Sequence, residues 1–145
     1  MEAEMEEVGR MLLEAPVGYV EQTISDIIRK PVYLKVIEQN SISGTKYGRK
    51  VVIGYDKFPI LRAFVTFDSK DIPKSVMAAL LQKKESIGKI LRDNKIVVQR
   101  RPKAIDVDPT RKTITREYEV LYGDSVLFQI SEEIRLDFLC ACKDR

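Results

Sequence analysis

The hydrophobic pattern of this chain changes its period at Pro31, and this change limits the folds open to it. Before Pro31, apolar residues recur at helical spacing in residues 5–14 and again in residues 20–30. Pro16 and Gly18 separate these two predicted helices. After Pro31, apolar and polar residues alternate, which is typical of strands that bury one face. The chain is therefore predicted to begin with two helices and to continue as a protein built on a sheet.

Six β-rich runs follow, interrupted by two further predicted helices. The helices cover residues 73–83 and 86–92, and Asp71 is a plausible cap for the first of them. The strands are predicted at residues 32–38, 49–55, 60–67, 95–102, 113–122 and 126–136. Because this order contains no regular strand–helix–strand alternation, we predict an α+β fold: a single antiparallel sheet of about six strands with helices packed on it. A length of 145 residues fits one domain, residues 1–145.

The charge balance and the amino-acid usage argue against several function classes. Lys and Arg number 25 and Asp and Glu 22, an excess of +3 that suits a small anionic ligand and does not require nucleic acid. No run of 18 apolar residues is present and the N-terminus is acidic, so we expect a cytoplasmic protein without a membrane span. The chain has no histidine, which removes the Ser-His-Asp and Cys-His nucleophiles and the commonest zinc ligand.

Two charged residues in predicted strands are candidates for chemistry. Arg49 begins a strand, where its planar guanidinium suits a carboxylate, although periodicity alone favours an exposed charge at a strand end. By alternation, Glu132 shares a face with apolar residues of its strand, whereas Glu133 faces the other way. A carboxylate buried on an apolar face has a raised pKa, which suits proton transfer near neutrality. Two solvated glutamates at a strand end are the alternative interpretation.

Three further features are less specific. Gly88 lies near a predicted helix start, where backbone N–H groups can bind polar oxygens, but a glycine there more often serves packing or a turn. The pair Arg100-Arg101 is interpreted as a solvated strand edge. Cys140 and Cys142 would point to one face of a strand, and because two thiolates do not complete a metal site, we interpret them as structural.

Taken in order, these segments resemble the chorismate pyruvate-lyase family, in particular its compact archaeal and bacterial branch. The resemblance extends from Gly18 to Ile134. Four elements carry it: Gly18-Tyr19-Val20 before the second helix, Arg49-Lys50-Val51 at a strand start, Ser86-Ile87-Gly88-Lys89-Ile90-Leu91, and Ser131-Glu132 in the final strand. They are similar to the family's opening segment, its strand-initial Arg-Glu-Val, its Pro-Leu-Gly-x-x-Leu turn and its Thr-Glu, respectively.

The resemblance implies an antiparallel sheet that encloses a small cavity beneath two helix–turn flaps. It implies that Arg49 binds the ring carboxylate of chorismate or 4-hydroxybenzoate, helped by the main chain near Val20. Glu132 would be the acid/base beside the ring hydroxyl and the departing enolpyruvyl group, with Glu133 as the alternative. The backbone of Ile87, next to Gly88, would bind that hydroxyl. The implied activity is elimination of pyruvate from chorismate or a close relative, with no metal and no cofactor.

Two positions depart from the family pattern and keep other interpretations open. Lys50 replaces the usual Glu, and Phe64 stands where characterised lyases carry a second Arg. The alternative is a non-catalytic module that binds or senses a small aromatic acid, since a similar fold serves as the sensor domain of a class of bacterial transcription regulators. A structural domain that forms a homodimer is the third interpretation, based on the alternating strands and the terminal cysteines.

Overall fold

The computed structural model describes residues 2–143, which form one six-stranded sheet and five α-helices. The helices are α1 (Glu2–Glu14), α2 (Val20–Ile28), α3 (Lys74–Leu81), α4 (Ile87–Asp93) and α5 (Leu136–Lys143). The strands are β1 (Tyr33–Ser43), β2 (Lys46–Tyr55), β3 (Phe58–Asp68), β4 (Gln99–Asp108), β5 (Thr113–Tyr122) and β6 (Ser125–Arg135). None of the helices within residues 2–143 is long and apolar enough to cross a membrane. The predicted α+β architecture is confirmed.

The sheet consists of two antiparallel three-stranded meanders joined at the centre. The strand order is β1-β2-β3-β6-β5-β4, so β3 and β6 lie in the middle and β1 and β4 form the edges. Two-residue turns close the β2–β3 and β5–β6 hairpins at Asp56-Lys57 and Gly123-Asp124. Asp56 and Gly123 have positive φ angles of 52° and 61°, the conformation that tight hairpin turns require and that Asp and Gly tolerate.

All the helices contribute to cores on one face of the sheet, which we call the inner face; the opposite face is the outer face. A first core cluster joins α1, α2 and α5 to inner-face residues of the sheet, namely Ile53, Leu61, Ile114 and Ile134. A second cluster joins α3 and α4 to another set, namely Val65, Phe67, Tyr118, Val120, Phe128 and Ile130. Between the two clusters, one row of inner-face positions contains charged side chains.

Three sequence predictions are corrected by the structure. Asp71, predicted to cap α3, lies in a 3-10 turn (Ser69–Asp71), and the N-cap position of α3 is Pro73, which has no side-chain cap. Residues 95–98 precede β4 and are not part of a strand; Ile96 and Val98 pack against the second cluster, so their alternation reflects core contacts. The strand instead continues to Asp108, because it pairs along the full length of β5. Cys140 and Cys142 lie in α5 and not in a strand. Both are buried, because α5 packs against α1, α2 and β3.

Candidate functional site

A cavity of about 90 Å³ lies under the helices, at the boundary between the two core clusters. Its floor is the inner face of β2, β3, β5 and β6, and its roof is formed by parts of residues 17–21 and 86–91. These two roof segments, which we call the flaps, are the turn leading into α2 and the start of α4. Most lining side chains are apolar, and Glu132, Tyr118 and Glu21 are the exceptions that carry titratable groups among the described lining residues.

The two flaps touch through their glycines. A Cβ atom on Gly88 would lie 2.3 Å from Gly18 Cα, so no larger residue fits at position 88 unless the flaps separate. Gly18 has a φ of 90°, a conformation that favours glycine. The Arg92 guanidinium donates a hydrogen bond to the Gly18 carbonyl and lies 4.6 Å from the centre of the Tyr19 ring. The contact explains why each flap carries a glycine.

Glu132 is buried in the cavity floor and is held by two neighbours on β5. Arg116 Nε donates to Glu132 Oε1 at 2.6 Å, and the Tyr118 hydroxyl donates to Oε2 at 2.6 Å. Burial, followed by the charge of Glu132, raises the pKa of Tyr118 far above its ordinary value, so the phenol stays protonated and remains a donor. The three side chains therefore form one hydrogen-bonded group with a fixed carboxylate.

Arg49 lies in the adjacent row of the inner face and is 1% exposed. Its Nη1 donates to Gln39 Oε1 at 3.2 Å, and its Nη2 donates to the main-chain carbonyl of Glu85, while Nε has no partner. Burial lowers the pKa of Arg49 from 12.5 to about 10, because no carboxylate compensates its charge. Arg49 is not among the residues that line the cavity.

The structure brings four of the five residues named for the site to one place. Val20, Ile87, Gly88 and Glu132 all line the cavity, whereas the Arg49 side chain is turned toward Gln39 and the segment that precedes α4. The roles assigned to these five residues stay predictions. Glu133 lies in the groove on the outer face of the sheet, as strand alternation predicts.

Sequence reasoning missed three residues around Glu132. Arg116 and Tyr118 were not singled out, although the alternation of β5 places both on the same face as the buried Ile114 and Val120. The third is Arg100, interpreted as a solvated strand edge. It is half-buried, lies 4.8 Å from the centre of the Tyr118 ring, and donates to the Ala15 carbonyl at 3.2 Å.

Electrostatics link these groups to one another and to the flaps. Burial lowers the pKa of Arg100, and the nearby charge of Arg116 lowers it further. Glu21, in the first turn of α2, has a raised pKa because it is partly buried, although hydrogen bonding to Ser86 on the other flap opposes the shift. Within residues 2–143, no three His, Cys, Asp or Glu side chains are grouped so that they could hold a metal ion.

The residues that depart from the lyase pattern lie away from the cavity. Lys50 and Phe64 are exposed in the outer-face groove, and Lys50 lies 3.7 Å from Glu38. Arg101, the exposed member of the Arg100-Arg101 pair, binds Glu119 through its Nε at 2.7 Å. The second buried arginine of the inner face in the described residues is Arg116 on β5, which is paired with Glu132.

Comparison with known proteins gives similarity in structure only. No protein-family model and no curated protein sequence matches the chain. A transcriptional regulator of the GntR family from Bacillus cereus is 19% identical, with a TM-score of 0.49, over 72% of this chain and 91% of its own. The ligand-binding domain of a protein assigned to the GntR family of regulators, from Bordetella bronchiseptica, is 8% identical, with a TM-score of 0.48, over 71% and 85%.

A third structure matches nearly the whole fold. PhnF from Mycobacterium smegmatis is similar over 92% of this chain and 95% of its own, with a TM-score of 0.56 and 9% identity. At this identity the likeness to PhnF shows a shared fold and leaves the ligand and the activity to be argued from the site.

Proposed function

We propose that this protein is a binding module for a small anionic molecule, a carboxylated aromatic or cyclohexadiene ring, held between the flaps and the sheet. The ring would occupy the apolar cavity. Its carboxylate would be bound by Arg49, whose side chain lies outside the cavity lining and would turn toward it from Gln39 and the segment that precedes α4. Three features support the proposal: the largely apolar cavity, the paired flaps above it, and the buried arginines that lie next to its lining residues.

The observation that carries the proposal is the excess of buried positive charge. Among the described residues of the inner face, Arg49 and Arg116 are buried cations and Glu132 is the buried anion, with Arg100 half-buried beside them. Four guanidinium nitrogens have no hydrogen-bond partner, namely Arg49 Nε, Arg100 Nε, Arg100 Nη2 and Arg116 Nη2. A buried N–H donor without an acceptor is costly, and an anionic ligand would supply acceptors and charge together.

The size of the cavity adds a requirement for movement. A cavity of about 90 Å³ is smaller than the roughly 150 Å³ that accommodates benzene in a protein interior. A ring with a carboxylate therefore enters only if the flaps separate at Gly18 and Gly88. Ligand binding would thus shift the position of α2 and α4, and such a shift is what a sensor module needs.

Glu132 favours a second candidate, a chorismate lyase. A buried carboxylate in a cavity that Ile87 and Gly88 also line has surroundings that suit the elimination. In that reaction the ring C–O bond to the enolpyruvyl group breaks, the ring loses one proton and becomes aromatic, and the released enolpyruvate takes one proton to become pyruvate. Glu132 would accept the ring proton, and Arg49 would hold the ring carboxylate.

Calorimetric titration tests the binding proposal. We expect 4-hydroxybenzoate to bind, and we expect its uncharged methyl ester and the Arg49→Met variant to show at least about tenfold weaker binding, since a charge-assisted hydrogen bond is lost. Arg62→Met is the matched control, because Arg62 is an exposed arginine on the outer face of the neighbouring strand. Equal binding of acid and ester would contradict the proposal.

Pyruvate release from chorismate separates the lyase from the binding module. Glu132→Gln is compared with Glu133→Gln, which changes the adjacent carboxylate on the outer face. Release by the parent and by Glu133→Gln, but not by folded Glu132→Gln, would establish lyase chemistry at Glu132. No release by the parent, with 4-hydroxybenzoate still bound, would leave the binding module.

A further inference from the structure

The outer face of the sheet has no helix on it. Both core clusters, with residues from all five helices, belong to the inner face. The outward-facing side chains of the central strands instead border an open groove of about 720 Å³. Phe64 is 41% exposed in this groove and Ile37 is 59% exposed, so apolar side chains remain uncovered there.

Charge on this groove is divided between its two halves. Lys50 on β2 and Arg62 on β3 make one half basic, and Glu133 on β6, Glu117 on β5 and Asp106 on β4 make the other acidic. In the part of the chain that the structure describes, no ion pair within 4.0 Å involves Arg62, Glu133, Glu117 or Asp106. These charges are therefore available to a partner.

The strand register arranges the two halves symmetrically about the centre of the sheet. One row runs Lys50, Phe64, Ser131, Glu117 across β2, β3, β6 and β5. The next row runs Val52, Arg62, Glu133, Thr115 across the same strands. The boundary between β3 and β6 is the middle of both rows, and each basic residue has an acidic residue at the same distance on the other side.

We propose that a second copy of this chain packs on the outer face, about a two-fold axis that runs parallel to the strands over the β3–β6 boundary. This rotation exchanges the two halves of each row. It places Arg62 of one copy over Glu133 of the other, and Lys50 over Glu117, each contact occurring twice as a two-fold interface requires. This is the aligned class of sheet packing, in which the strand directions of the two sheets stay within about 30° of each other.

The apolar side chains fit the same arrangement. Phe64 lies next to the axis and opposes Ser131 of the other copy, so the two phenyl rings lie on either side of the centre of the interface. An aromatic pair at the centre with charged pairs around it is the usual layout of a protein interface.

The division of charge favours a second copy of the chain over a nucleic acid or a membrane as the partner of this groove. A nucleic acid or an anionic membrane requires a positively charged surface, whereas this groove carries two basic side chains on one half and three acidic side chains on the other. Pairing through the exposed edge strand β4 is disfavoured, because β4 contains Pro102 and has a bulge between Pro102 and Ala104. The inference is independent of the proposed ligand, since the outer face and the cavity lie on opposite sides of the sheet.

Sedimentation velocity over a range of concentrations tests the proposal with single charge reversals. We expect the parent chain to dimerise, and Arg62→Glu or Glu133→Arg alone to raise the dissociation constant at least about a hundredfold, because like charges then face each other. An equimolar mixture of the two variants restores dimers, since both contacts become opposite in sign, and so does the double variant carrying both changes. Lys84→Glu, at an exposed position outside the groove, is the matched control.

Two results would overturn the proposal. One is a parent chain that stays monomeric across the concentration range. The other is a dimer that both reversals leave intact, which would assign the interface to another surface such as an edge strand. Circular dichroism confirms that each variant is folded, and restoration in the mixture excludes misfolding as the cause of dissociation.

Discussion

Arg49 and Arg116 are two buried arginines on the same face of one sheet, and they have opposite surroundings. Arg116 binds the Glu132 carboxylate, which also accepts a hydrogen bond from Tyr118. Arg49 has the amide oxygen of Gln39 and the main-chain carbonyl of Glu85 as its partners, and its Nε has none. One charge is neutralised within the protein, whereas the other is not.

If the proposed function is right, this difference separates a structural role for Arg116 from a binding role for Arg49. A guanidinium that is already neutralised holds its carboxylate in place and keeps Glu132 oriented in the cavity floor. Arg49 has only neutral acceptors, so the unfavourable free energy of burying its charge is not offset within the protein. A bound anion would offset it. We therefore expect removal of Arg116 or Glu132 to damage stability, and removal of Arg49 to damage ligand binding.

The largest expected effect is that of Glu132→Leu. This change leaves Arg116 buried without a counter-charge, and we expect a loss of about 3–5 kcal/mol in the free energy of unfolding, measured by urea titration. Glu38→Leu, at an exposed position on the edge strand β1, is the control and should change stability by about 0.5 kcal/mol or less. Equal losses for the two variants would show that the Glu132 pair has no structural role.

A double-mutant cycle sharpens the comparison with an intermediate effect. Arg116→Met alone leaves Glu132 unpaired, but Arg116→Met combined with Glu132→Leu removes both charges from the interior. We expect the double variant to be more stable than the sum of the single losses predicts, by roughly 1–3 kcal/mol, since the two residues are in contact. Strict additivity in the urea titrations would mean that the pair is not coupled.

The smallest effect on stability is expected for Arg49→Met. Methionine fills a similar volume and removes an uncompensated charge, so the free energy of unfolding should change by less than about 1 kcal/mol. Calorimetric titration of the same variant should show that binding of 4-hydroxybenzoate is lost. If Arg49→Met is instead as destabilising as Glu132→Leu, then Arg49 is a structural residue and the distinction between the two arginines is wrong.

Much of the fold could be predicted from the sequence, because local patterns determine it. The change of period at Pro31, the alternation of β5 and β6 and the order of elements together predicted the α+β sheet. The predicted bounds of β5, residues 113–122, agree with the structure. The bounds of β4 did not agree, because an edge strand is defined by its pairing with β5 and not by its own apolar residues.

The candidate site was predicted in part, because strand alternation is visible in the sequence and the contacts between strands are not. Glu132 was identified because strand alternation places a charge on an apolar face, which is visible in the sequence. The same argument applied to β5 would have identified Arg116 and Tyr118. That these two residues bind Glu132 depends on the pairing of β5 with β6, which residue order alone does not show.

The sequence by itself determined which residues face the core and which face away, since a strand alternates its side chains with a period of two. The tertiary structure decided which charges meet. Glu132 finds Arg116 because β6 pairs with β5, and Arg49 finds neutral acceptors because β2 pairs with β1 and the α3–α4 segment lies above it. Charge compensation acts through space over a few ångströms, so the strand pairing, and not the spacing along the chain, decides which arginine is left without a carboxylate partner.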